Sequence, residues 1–141
     1  LMLGIDCGLR RGEILKLKRS DINFQNSTCM LRDTKNGTSR KIGLSPRVVR
    51  AMLEQPSHID GRLINCTTKD QFKFYWEQLR RWSDVKKTFH STRHTFASRC
   101  AMKGWTIQEI SAQGGWKELK ILKRYTHIAP EYLADKLKNQ K

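Results

Sequence analysis

Helix-start signals recur along this chain after one short strand-like stretch, and that order constrains its fold more than any other feature. Ser45-Pro46 sets an N-cap hydroxyl ahead of a proline at the first helical position. Thr68 with Gln71, and Thr106 with Glu109, each give the Ser/Thr-x-x-Glu/Gln capping pattern. Ahead of them, segments 22–24, 28–31 and 40–44 carry alternating or β-branched residues. The turn signals Gln25-Asn26-Ser27 and Asn36-Gly37 part these segments. This order predicts an α+β domain, mostly α-helical, with one small three-stranded antiparallel sheet near its N-terminal side.

Apolar spacing fills in the helices. Residues 11–17 form a short helix with Ile14, Leu15 and Leu17 inward. Val48, Val49, Met52 and Leu53 make a stripe after Pro46. Behind Thr68, the residues Phe72, Tyr75, Trp76, Leu79 and Trp82 do the same. A further helix starts at Ser91 or Thr92 and runs to about Gly104. Ile107 and Ile110 face inward after Thr106. Helices are also expected over 118–126 and from Pro130, the last carrying Tyr132, Leu133 and Leu137. By this pattern Tyr75 and Tyr132 are packing residues, and Trp76, Trp82 and Trp105 belong to the core or to helix contacts.

A chain of 141 residues with no internal repeat and no long linker fits one domain with its own core. No apolar run nears the roughly 20 residues that a membrane span needs. The start, Leu1-Met2-Leu3-Gly4-Ile5, lacks the basic region and cleavage site of a signal peptide. It also lacks an initiator Met, and reads as the tail of a helix in a chain cut from a longer protein. Lys and Arg number 28 against 13 Asp and Glu, a formal net charge of +15. Such an excess on a folded domain points to a polyanion, nucleic acid above all. An anionic membrane calls for a polybasic block, whereas here the cations run from Arg10 to Lys141. Cys7, Cys29, Cys66 and Cys100 lie 22, 37 and 34 residues apart, too far for a zinc-site pair. Free thiols in a reducing compartment are expected, which places the protein in the cytoplasm.

Four segments put cations or strong donors in separate elements: Gly8-Leu9-Arg10-Arg11-Gly12-Glu13, Thr34-Lys35-Asn36-Gly37, His90-Ser91-Thr92-Arg93-His94, and Gly115-Trp116 followed by Arg124-Tyr125-Thr126-His127. Together they read as a metal-free site for phosphoryl transfer. Arginine forks match the charge that a phosphodiester transition state spreads over its non-bridging oxygens. A tyrosine becomes a nucleophile once a base or cations favour its phenolate, and a lysine supplies the leaving oxygen's proton. There is no phosphate-binding glycine loop and no carboxylate cluster for magnesium. His90 and His94 stand at i and i+4, as a zinc pair would, yet no Glu between them and no third ligand nearby completes that motif.

These boxes resemble those of the tyrosine recombinases, the phage integrase family, over nearly the whole chain. Cys7 to Leu15 is similar to the family's first arginine box, and His90 to Ala97 to its HxxR box. Trp116 stands where the family has His or, less often, Trp, 23 residues after Arg93. Tyr125 stands at the nucleophile position, nine residues further on. The resemblance implies a catalytic domain over residues 1–141, without the family's N-terminal core-binding domain. It implies that Tyr125 attacks a scissile phosphate to give a 3′-phosphotyrosine, with no metal, cofactor or ATP. Arg10, Arg93 and Trp116 would hold the phosphate, His90 would be the general base and Lys35 the general acid. Glu13 and His94 would support them. Lys41 competes with Lys35 on position. The implied partners are double-stranded DNA and further copies of the chain, a tetramer on DNA and a monomer or dimer for the isolated domain. A type IB topoisomerase shares this catalytic set, and a non-catalytic basic DNA-binding module is the alternative from another class. Gly114-Gly115 departs from the family's apolar residue before glycine and predicts a looser turn ahead of Trp116.

Overall fold

The computed structural model describes residues 1–32, 39–56, 58–66, 68–125 and 137–138. Helix α1 (Met2–Cys7) ends at Gly8 in the left-handed region (φ 70°), and α2 (Arg11–Lys16) follows at once. Strands β1 (Ile22–Asn23), β2 (Thr28–Arg32) and β3 (Ser39–Gly43) form an antiparallel meander in the order β1-β2-β3. The expected sheet is therefore present, with Cys29 opposite Ile42 and Leu31 opposite Arg40. Its inner face carries Cys29, Leu31 and Ile42, two residues apart on each strand as the pleat requires.

Helix α3 (Pro46–Glu54) starts where Ser45 Oγ accepts from Val48 N at 3.3 Å. Val48 and Met52 close over the sheet, while Leu53, one residue further round, is exposed. Helix α4 (Lys69–Ser83) is capped by Thr68, whose Oγ1 accepts from Gln71 N at 3.1 Å. Helix α5 (Ser91–Met102) lies against α1 and buries Thr92, Arg93, Phe96, Ala97, Cys100 and Ala101 along one stripe. Helix α6 (Ile107–Gly114) has the Thr106–Glu109 capping box. The segment expected as one helix from 118 is a single turn, α7 (Leu119–Leu122), tightening into a 3₁₀ turn at Lys123–Tyr125. The expected terminal helix lies outside the described residues except Leu137–Lys138, which are helical.

Two apolar clusters result. The larger joins the sheet's inner face to α1, α2, α3 and Phe89. The smaller joins Phe96, Ala97, Cys100 and Ala101 of α5 to Ile110 and Leu122. All four cysteines are buried free thiols, and burial raises the pKa of Cys29 to about 12. Among the described residues, no helix is long and apolar enough to cross a membrane.

The stripe expected on α4 is wrong in two places. Phe72 and Trp76, four residues apart, meet the Phe89 ring edge-on at 4.8 and 5.3 Å. Tyr75 is 58% exposed and Trp82 87% exposed. The helix touches the core along one narrow line, so residues turned off that line or beyond it stay outside. Trp105 is half-exposed but packs edge-on against Phe96, as a helix-contact residue.

Candidate active site

Chain reversal after α1 creates the first half of the site. Gly8 lets the backbone turn with positive φ while its α-carbon rests on Phe96; a Cβ there would stand 2.6 Å from the ring. The freed Gly8 carbonyl accepts a hydrogen bond from Arg93 Nη1 of α5. Two residues on, Arg10 precedes α2, and Glu13 folds back over the helix start. Its Oε2 accepts from Arg10 N at 2.7 Å and its Oε1 from Arg10 Nη1 at 2.9 Å. Arg10 Nη2 reaches the Gly115 carbonyl beyond α6. One short sequence therefore ties together the starts of α2 and α5 and the end of α6.

Arg40 of β3, which sequence reasoning missed, enters the same cluster. Its Nη1 donates to Glu13 Oε1 at 2.8 Å, and its Nη2 to the Gly114 carbonyl at 3.1 Å. A signal for it was present, because Arg40 shares a face with Ile42 two residues on, and an arginine on a strand's inner face requires an acid. Lys41 points to the opposite face and is exposed, and Lys35 lies outside the described residues. Burial acts to raise the Glu13 pKa, but hydrogen bonds and charge from Arg40 and Arg10 outweigh it, so the carboxyl titrates below its ordinary range.

Arg93 is 1% exposed, which is rare for a cation. Its Cζ lies 4.2 Å from the centroid of the Trp116 ring, which in turn stacks on Phe96 at 6.4 Å with 7° between planes. Among the described residues, Arg93 Nε has no hydrogen-bond partner. Burial, then the neighbouring Arg10 charge, lowers the Arg93 pKa to about 10, so the group is still a cation at neutral pH. Two guanidinium groups thus share one carboxylate, with the Arg93 charge in electrostatic reach of all three, an excess that an anion would relieve.

The two glycines before Trp116 do not loosen the turn as expected. A Cβ on Gly114 would stand 1.9 Å from Trp116 Cζ3, so the indole occupies the space that glycine leaves open. Gly115 takes the left-handed C-cap conformation (φ 71°), with its α-carbon against the Arg40 guanidinium. Ser111 Oγ donates to the Trp116 carbonyl at 2.6 Å, closing the turn. Glycine and tryptophan fit as a pair.

Tyr125 comes from the 3₁₀ turn after α7, and its hydroxyl shares a hydrogen bond with His94 Nδ1. His94, expected only to lend support, is therefore the imidazole on this hydroxyl. His90 sits one turn earlier, its ring 5.0 Å from His94 and edge-on. Burial, with the charges of His94, Arg93 and Arg10, lowers the His90 pKa and favours neutral imidazole. Beside α2 opens a groove of about 720 Å³ whose lining includes Lys16, Lys18, Arg32, Arg62 and Lys69. Thus Arg10, Glu13, His90, Arg93, His94, Trp116 and Tyr125 converge, from positions up to 115 residues apart (125 − 10) in the chain.

Known proteins resemble this chain in sequence and fold. The shufflon-specific DNA recombinase of Escherichia coli is 34% identical over 139 residues, covering 96% of this chain and 35% of that protein. The chain spans about a third to a half of the length of the curated relatives it matches. The catalytic domain of bacteriophage HP1 integrase superposes with a TM-score of 0.72 at 23% identity, covering 98% of this chain and 78% of that one. The Tn1549 transposon integrase, solved with circular intermediate DNA, gives 0.72 at 19% identity, covering 99% and 56%. The model of the phage integrase family matches residues 1–131. With that match spanning every element from α1 to the Tyr125 turn, the chain belongs to the phage integrase family and has the fold of a tyrosine-recombinase catalytic domain.

Proposed function

We propose that residues 1–141 act as the catalytic unit of a site-specific DNA recombinase, which cuts and rejoins double-stranded DNA through a 3′-phosphotyrosine at Tyr125. The observation that carries this reading is a tyrosine hydroxyl held by His94 beside the Arg10–Arg93 cation cluster. Tyr125 Oη attacks phosphorus, the bond to the 5′ oxygen breaks, and a 5′-hydroxyl is released. Arg10 and Arg93 stabilise the charge on the non-bridging oxygens. Trp116 backs Arg93 with its ring and offers its indole N–H to the phosphate.

His94 orients the phenol, and His90, neutral at physiological pH, takes its proton. Lys35 protonates the leaving oxygen. Attack by the 5′-hydroxyl of another strand reverses the step. The phosphotyrosine ester conserves the bond energy, so neither ATP nor a metal takes part.

The lysines and arginines of the neighbouring groove follow the DNA backbone. Recombination joins two duplexes, each cut on both strands, so four copies act together on DNA, while the free domain is a monomer or dimer. The cytoplasm of a bacterium fits the four reduced cysteines.

A nicked suicide substrate resolved on a denaturing gel tests this reading. The native protein containing this chain yields a covalent adduct, and Tyr125→Phe yields none. Adduct formation that survives Tyr125→Phe, or an unmutated protein that forms none, sinks the proposal. Relaxation of a supercoiled plasmid without strand exchange assigns topoisomerase activity instead.

A further inference from the structure

Arg40 has no place in the chemistry above, yet all three nitrogens of its guanidinium are bonded to the framework of the site. Each of its three nitrogens donates to a different protein acceptor. Nη1 meets Glu13 Oε1 at 2.8 Å, Nη2 meets the Gly114 carbonyl at 3.1 Å, and Nε meets the Gln113 carbonyl at 3.4 Å. The side chain is 20% exposed, and its guanidinium lies against the Gly115 α-carbon, where even a methyl group would meet Cζ at 2.6 Å. Three of its five N–H donors, and the space beside the Gly115 α-carbon, are thus taken by the protein.

Charge gives this arrangement a consequence. Glu13 Oε1 accepts from Arg10 at 2.9 Å and from Arg40 at 2.8 Å. A carboxylate paired with Arg10 alone would cancel its charge. One carboxylate shared by two guanidinium groups leaves a net positive charge beside the phosphate. Geometry adds a second consequence. Glu13 fixes Arg10, and the 113–115 backbone fixes both the Arg10 acceptor at Gly115 and the start of Trp116. Arg40 is bonded to both.

We propose that Arg40 is a positioning residue for strand cleavage: it binds Glu13 and the end of α6 to β3, so that Arg10 and Trp116 meet one scissile phosphate with the Arg10 charge unspent. This rests on the recombinase reading. A lysine at 40 keeps the charge and loses the fork; a glutamine loses the charge and most of the fork. Gln113 supplies a control, because its side-chain amide pairs with Gly43 N and O at 3.0 and 2.8 Å. It joins β3 to α6 without touching Glu13.

The experiment compares Arg40→Gln, Arg40→Lys and Gln113→Ala in the native protein containing this chain. Two suicide substrates are used, one with an ordinary scissile phosphodiester and one with a scissile methylphosphonate, which carries no charge on its non-bridging atoms. With the phosphodiester, Arg40→Gln slows adduct formation about 10²-fold and Arg40→Lys about 10-fold. Gln113→Ala slows it less than about 3-fold. Substrate affinity by fluorescence anisotropy changes by less than about 3-fold in all three, because Arg40 faces protein acceptors. On the methylphosphonate the Arg40 deficits shrink at least about 10-fold, since the charge that Arg10 must meet is gone.

Equal deficits on both substrates overturn the proposal, as does an affinity loss that matches the rate loss. Equal slowing by Gln113→Ala does so too. If Arg40→Gln fails to fold, Arg40→Lys alone decides, by whether its deficit vanishes on the methylphosphonate. No adduct from the unmutated protein brings down the recombinase reading itself; adduct from it with any of these three patterns brings down only the role of Arg40.

Discussion

The two halves of the site are built differently. On the phosphate side, Arg10, Glu13, Arg40 and the Gly114–Gly115 carbonyls form a closed set of hydrogen bonds across three elements. On the nucleophile side, Tyr125 rides on one helical turn and a 3₁₀ turn, anchored by buried Leu122 and held at its hydroxyl by His94. The contrast fits what each half must do in the proposed reaction. Charge stabilisation costs least when its donors are fixed before the substrate arrives. In the proposed reaction the nucleophile forms and later breaks a bond to DNA and so must change partners, which a short helical element allows.

Breaking the phosphate side should give the largest combined loss. Glu13→Ala leaves Arg10 and Arg40 facing each other without their shared anion. Adduct formation should fall about 10²–10³-fold, and urea unfolding should show a loss of about 2 kcal/mol. A stable, active variant would mean that the brace is ornamental. Gly114→Ala drives a methyl group into the Trp116 indole and should cost about 2 kcal/mol by the same measurement. Pairing it with Trp116→Ala should recover part of that loss, and full additivity would contradict the fit described above.

The nucleophile side should behave in the opposite way. His94→Ala should slow adduct formation about 10-fold or more, with stability changed by less than about 0.5 kcal/mol. A stability loss as large as that of Glu13→Ala would erase the distinction between the halves. The smallest effect is on pH. Burial, His94, Arg93 and Arg10 disfavour the His90 imidazolium, so this group stays neutral below its ordinary value of 6.5. Cleavage measured as kcat/KM, which reports the free enzyme, should hold through pH 6.5 and fall only on further acidification. An acid limb at or above 6.5, or one that persists in His90→Gln, would remove His90 as the base.

Much of this molecule is written in local sequence. Ser45-Pro46, Thr68 and Thr106 start helices, because a cap hydroxyl needs only a backbone N–H three residues away. The meander was legible from Asn26-Ser27 and Asn36-Gly37 between alternating segments. The boxes around Arg10, Arg93, Trp116 and Tyr125, read through the family resemblance, picked out residues that the fold brings near one another. The α4 aromatics were misread because helical spacing says which residues share a face, not how much of that face finds a partner. Tyr75 and Trp82 carry the right period and remain outside.

What tertiary structure alone decided is how the members join. Arg40 and Glu13 are 27 residues apart, Arg10 and the Gly115 carbonyl 105, and Arg93 and the Gly8 carbonyl 85. No periodicity links such pairs, since their meeting depends on how α2, β3, α5 and α6 stack. The same holds for Gly114, which sequence presents as a loose turn and packing presents as the space for an indole. The sequence determined which charges and hydroxyls the chain owns and which helices and strands carry them, because those follow from neighbours a few bonds away. Only the fold decided which cation shares which anion, because through-space electrostatics and close packing are set by distances that the order of residues does not contain.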